Sequence, residues 1–142
     1  MLRLSPNLNV MTAAVIKASK ALKRDFGELE KLQVSKKSTA NFVSSADRFA
    51  EKILREELAH ARPDFGFICE ESGSSIGKDK LSNWVIDPLD GTNNFLHGIP
   101  HWAISVALEK NGETVAGVIF DPIKDEMFVA EKGFGCYLND QR

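Results

Sequence analysis

Only two of the 142 residues are cysteine, Cys69 and Cys136, and they form no C-x-x-C pair. That argues against both a disulfide framework and a zinc site. Both thiols read as reduced and buried or half-buried, as in a cytosolic protein. Three histidines and a net charge of −2 supply no basic stripe, so no direct contact with nucleic acid is expected. No stretch approaches the roughly 18 consecutive apolar residues of a membrane span. The first 26 residues lack the long apolar core of a signal peptide and run into an amphipathic pattern. A cytoplasmic location is therefore expected. Internal repeats, low-complexity tracts and interdomain linkers are also missing.

What is present suits one domain. Apolar residues make up 43% of the chain, enough for a core, and charged residues make up 27%, enough to solvate a surface. Leu8, Met11, Val15, Ala18, Leu22 and Phe26 recur at steps of three and four, the signature of one helix face, with Gly27 as a plausible stop. Lys31 to Asn41 reads as a loop or mobile hairpin. Its Lys36-Lys37-Ser38-Thr39 cluster suits either a solvated tip or an arm near an anionic ligand. A second helix is expected from Ser44 or Ser45, with Ser44-Ser45-Ala46-Asp47 as a capping box. Pro63 ends it. Phe65 to Cys69 and Asn83 to Ile86 read as short strands, separated by a polar loop from Ser72 to Ser82. From Trp102 onward, apolar runs alternate with turns, and Asn111-Gly112 is a strong hairpin signal. Helices first and hairpins afterwards predict an α+β fold with helices packed on an antiparallel sheet.

Two Asp-Pro turns invite comparison. Asp121-Pro122-Ile123-Lys124-Asp125 lies between hairpin strands and reads as punctuation. Asp87-Pro88-Leu89-Asp90-Gly91-Thr92 differs, because Asp90 replaces the lysine and Gly-Thr follows. Its two carboxylates flank a rigid proline and can converge on one point. The Leu89 carbonyl between them is another hard oxygen, the donor type that Mg²⁺ prefers. Gly91-Thr92 can open a helix and present N–H groups to an anion. Glu70-Glu71 ends the preceding strand, as Asp87 ends its own. It reads either as a solvated loop start or as a further carboxylate source. If the two strand ends are neighbours, the crowded carboxylates need a cation. His97 and His101 read as structural or surface residues, and Trp84 and Trp102 as core.

The stretches FICEESG and WVIDPLDGTNNFLHGIPHWAISVAL resemble the inositol monophosphatase family of Mg²⁺-dependent, lithium-sensitive phosphomonoesterases. The family's DPxDGTxNF pattern is complete from Asp87 to Phe95, and Ser44–Asp47 is similar to its (T/S)xxD segment. The resemblance implies the sugar-phosphatase fold. Glu70 and Asp87, with the Leu89 carbonyl, would hold the metal that activates water, and Asp87 and Asp90 would hold a second. Thr92 would orient the water, and the Gly91 and Thr92 N–H groups, near Asp90, would receive the substrate phosphate. Asp47 would support Thr92. The implied substrate is a small phosphate monoester, most simply myo-inositol monophosphate. Fructose 1,6-bisphosphate, a nucleotide 3′-phosphate or histidinol phosphate is the rival, as is a non-catalytic regulatory role in RNA synthesis. A homodimer is expected.

The family's WDxAAG motif, which completes the second metal site, has no match. Residues 1–142 therefore read as the N-terminal, metal-binding portion of such a domain, with the C-terminal portion absent. On that reading the chain alone is inactive, one metal site lacks a ligand and the substrate pocket lacks a wall.

Overall fold

The structure, a computed structural model, describes residues 2–29, 31 and 36–142. Helix α1 spans Pro6–Leu29. Ser5 caps it, its Oγ accepting the Leu8 N–H at 3.1 Å, and Pro6 takes the first helical position, where a missing N–H costs nothing. The expected face is the buried one: Leu8, Met11, Val15, Ala18 and Leu22 are fully covered. Gly27 does not stop the helix, which runs two residues further.

Helix α2 spans Lys36–Ala61, and this corrects two expectations. Residues 32–35 lie outside the described residues, but Lys36 to Asn41 is helix rather than loop. Ser44 is therefore no N-cap; it lies more than two turns inside, and its Oγ accepts from Arg48 one turn on. The stripe Val43, Ala46, Ala50, Leu54 and Leu58 is buried and carries the helix. Packing of that stripe outweighs the weak helix propensity of the Ser/Thr-rich start.

Seven strands form one sheet: β1 (Gly66–Cys69), β2 (Gly73–Ser75), β3 (Ser82–Asp90), β4 (Ala103–Lys110), β5 (Glu113–Asp121), β6 (Glu126–Glu131) and β7 (Gly135–Leu138). Their order is β2-β1-β3-β4-β5-β6-β7. From β3 to β7 the sheet is the expected antiparallel meander. Asn111 and Gly112 turn β4 into β5 with positive φ at both positions, 52° and 75°. The pair β1–β3 is parallel, so the sheet is mixed. The polar segment from Ser72 to Ser82 also contributes the short strand β2.

Both long helices cover one face of the sheet, and no described helix is long and apolar enough to cross a membrane. Trp84 and Trp102 are core residues, as expected. Phe26 of α1 stacks on Phe95 and Trp102, which joins α1 to the segment following the Asp-Pro motif. Cys69 is buried, whereas Cys136 is exposed because it sits on the face opposite the helices.

Candidate metal centre

The parallel register of β1 and β3 builds this site. Cys69 pairs with Ile86, so the next residues, Glu70 just past the end of β1 and Asp87 within β3, stand side by side. The Glu70 N–H donates to the Ile86 carbonyl at 3.3 Å, which carries the pairing to the strand end. The Asp87 carboxyl is raised to about 7 by burial, then by the hydrogen-bonding reach and charge of Glu70; Asp90 adds to this and the Leu89 N–H opposes it. That N–H donates to Asp87 Oδ1 at 3.2 Å.

Asp87-Pro88-Leu89-Asp90 is not the simple turn its sequence suggests. β3 continues through it, with Asp87 opposite Ser105, Asp90 opposite Ala103 and a bulge between. Proline suits a bulge, where no ladder hydrogen bond needs its missing N–H. The bulge sets the two aspartates in different surroundings, though the charge of Asp90 is still felt at Asp87. Asp87 turns toward Glu70. Asp90 is exposed and lines a hollow of about 280 Å³ with Gly91, Asn94, His101 and Asp121. Gly91 follows with φ +92°, and a Cβ there would lie 3.0 Å from the His101 carbonyl oxygen and 3.2 Å from Trp102. Only glycine satisfies both constraints. Helix α3 (Thr92–Leu96) then begins. The Thr92 hydroxyl donates its proton to the Leu89 carbonyl at 3.1 Å. Asn94 Nδ2 donates to the His101 carbonyl at 2.7 Å and clasps the far side of the loop.

Asp47 reaches the site from α2 rather than from a helix cap. It lines a hollow of about 210 Å³ with Ser44, Glu71 and Thr92. Its carboxyl is pushed up to about 7 by burial first, then by Glu71 opposite, with Asp87 and Glu70 contributing. Two facing carboxylates offer no donor unless one holds a proton, and among the described residues Asp47 Oδ1 is a buried acceptor with no hydrogen-bond partner. Glu71 was read only jointly with Glu70, and Glu51 was not singled out by sequence. Glu51 is 4% exposed, and its Oε1 accepts the Glu71 N–H at 3.2 Å, fixing the loop after β1. The spacing of Asp47 and Glu51 carried a signal, since two acids at i and i+4 share a helix face with apolar neighbours. Arg55, one turn further, donates to Cys69 Sγ and Ser72 Oγ and holds the same loop.

His97 and His101 are exposed, and His101 borders the hollow at Asp90. His97 Nδ1 contacts the Asn93 carbonyl, and His101 Nδ1 lies 2.7 Å from Lys124 Nζ. The control motif behaves as punctuation, with Asp121 Oδ1 accepting the Ile123 and Lys124 N–H groups.

The donors fit a hard divalent cation. Among the described residues no three His, Cys, Asp or Glu side chains already enclose a metal position. The acids come instead as facing pairs, Glu70 with Asp87 and Glu71 with Asp47. Mg²⁺ needs no closed cage, because one or two carboxylates and several waters suffice. Crowded acids and an orphaned buried oxygen are what such an ion would relieve.

Residues 3–142 match the model of the inositol monophosphatase family. The chain belongs to that family. An inositol-1-monophosphatase of Rhizobium meliloti (strain 1021) is 59% identical over 135 residues, 95% of this chain and 51% of the relative. The Nus factor SuhB of Xylella fastidiosa is 44% identical over 96% of this chain and 49% of its own. Among solved structures, the extragenic suppressor protein suhB of Bartonella henselae superposes with a TM-score of 0.87 at 51% identity, over 97% of this chain and 53% of that one. An inositol monophosphatase from Anabaena gives 0.79 at 33% identity. The fold is thus that of inositol monophosphatases, and the chain spans about half the length of these family members.

Proposed function

We propose that the inositol monophosphatase-family protein carrying this sequence is a Mg²⁺-dependent phosphomonoesterase, with myo-inositol monophosphate as its first candidate substrate. The observation that carries the reading is the meeting of Glu70 and Asp87 at adjacent parallel strand ends, with Asp90 and the Leu89 carbonyl close by. Glu70, Asp87 and the Leu89 carbonyl would hold one ion, and Asp87 and Asp90 a second. The chemistry such ions would supply there is a water of lowered pKa and compensation of charge on the leaving oxygen. The Thr92 hydroxyl donates its one hydrogen bond to the Leu89 carbonyl, which leaves its oxygen as an acceptor that would orient a water O–H. The Gly91 and Thr92 N–H groups would receive the phosphate oxygens. Asp47 would lend negative charge behind Thr92. The protein's share is positioning and electrostatics, as in other phosphoryl transfers.

The test is phosphate release by the whole protein, with and without Mg²⁺, beside Asp87→Asn, over inositol phosphate, fructose 1,6-bisphosphate, a nucleotide 3′-phosphate and histidinol phosphate. Hydrolysis of none of these, or an undiminished Asp87→Asn, would refute the enzyme. Lithium inhibition and a homodimer belong to the same reading and are checked in the same assay and by light scattering. A second reading, a part in RNA synthesis through protein partners, is supported by relatives named Nus factor. Affinity capture from a transcription extract that survives Asp87→Asn would favour it.

A further inference from the structure

Helix α1 and the turn between β5 and β6 leave a groove between them. Its volume is about 740 Å³, within the range of small-molecule sites. It shares no lining residue with the hollows at Asp90 and Asp47. One wall is the flank of α1 from Thr12 to Lys23, about 16 Å of helix, with Ile16 at its middle. Phe120, Met127 and Val129 of the sheet form the other. The second Asp-Pro turn adds Pro122 and Ile123 to that wall. Ile16 is 44% and Ile123 37% exposed, so apolar surface lines the opening as well as the floor.

The polar groups of the α1 wall divide into two kinds. Thr12 and Ser19 are buried, and their hydroxyls already donate to the Asn9 and Ile16 carbonyls of the same helix. Lys20 and Lys23 are exposed at the groove. Lys17 of α1 is paired with Glu57 of α2, whereas among the described residues no ion pair engages Lys20 or Lys23. Two like charges three residues apart repel, and an anion between them turns that repulsion into attraction. The acids at the groove, Asp125 and Asp140, belong to the strand connections and are exposed. They direct an anionic head to the α1 rim, and they set charge against a flat anionic membrane.

We propose that this groove binds a single-chain amphiphile with an anionic head group. The alkyl chain lies between Ile16 and the Ile123–Met127 wall, and the head sits at Lys20 and Lys23. A flexible chain follows an open aliphatic groove. The ring of Phe120 is 8% exposed and offers no face on which a planar ligand could stack. A free fatty carboxylate and an anionic bilayer lipid share the head-and-chain chemistry, and the acids of the far rim favour the free molecule.

The probe is decanoate, with decanol as its neutral counterpart. Each is titrated into the protein and followed by calorimetry and by two-dimensional amide NMR spectra. Decanoate should bind saturably and one-to-one, at least about tenfold more tightly than decanol. The shifted amides should centre on the α1 flank and the β5–β6 turn. Lys20→Gln combined with Lys23→Gln should reduce decanoate to the decanol affinity and leave decanol unchanged. Both lysines are exposed, so that variant should melt as wild type does. Ile16→Asp should weaken both probes. Absence of saturation, equal affinity for the two probes, amide shifts centred elsewhere, or indifference to the lysine substitutions would overturn the proposal. So would binding to phosphatidylglycerol vesicles without binding of free decanoate. A decanoate affinity that falls as protein concentration rises would also overturn it, assigning the groove to a second copy. None of these readouts uses Mg²⁺ or hydrolysis, so this site and the phosphatase reading fail separately.

Discussion

Replacing Asp87 with Asn should stabilise the metal-free chain. Burial and Glu70 raise the Asp87 carboxyl from its ordinary 3.8 to about 7. An acid whose folded pKa exceeds its unfolded one adds stability below the unfolded value, and that stability is lost as pH rises through the folded value. Unscreened, the gap is worth about 4 kcal/mol. Solvent reaches this half-buried group, which reduces the figure to about 1–2 kcal/mol. Asn cannot ionise, so at pH 8 in EDTA the Asp87→Asn chain should be more stable by that amount. For a chain of this size the gain in Tm is roughly 3–8 °C. At pH 5 it should shrink to roughly two-fifths, because most of the window from 3.8 to 7 still lies ahead. With Mg²⁺ at a hundred times its Kd, wild type should gain about 2.7 kcal/mol and the variant nothing, reversing their order. Circular-dichroism melts at both pH values, in EDTA and in MgCl₂, measure all four states. A variant less stable than wild type in EDTA at pH 8, or one that keeps the Mg²⁺ gain, would refute the crowded-carboxylate account.

Gly91→Ala should cost about 1–3 kcal/mol in urea unfolding, from its left-handed φ and the crowding against His101 and Trp102, and should abolish the Mg²⁺ gain. Asp121→Ala should cost about 1–2 kcal/mol by orphaning two turn N–H groups, yet leave the Mg²⁺ shift of Tm intact. A lost shift would place Asp121 in the metal site. Glu51→Leu should raise the Mg²⁺ midpoint about tenfold in thermal-shift titrations by freeing the Glu71 N–H, and Glu51→Gln, which keeps an acceptor, should not.

The sequence by itself determined the parts whose information is local. The α1 face was legible because a 3.6-residue period needs only neighbouring positions, and Asn111-Gly112 because positive φ restricts residue choice. The aspartate motif was legible because seven specified positions survive any fold-level ambiguity. Helix α2 was expected to start later because its first turns are Ser/Thr-rich, and burial of Val43 and Ala46 is a tertiary contribution that favours the helix there. For the same reason Asp47 looked like a cap. Tertiary structure decided the rest. The bulge that divides Asp87 from Asp90, the parallel pairing that brings Glu70 to Asp87, and the help of Glu51 and Arg55 all join residues distant in the chain. Which strand ends meet depends on register, and register is set by the packing of a whole sheet face against helices, a sum over contacts that no single segment encodes.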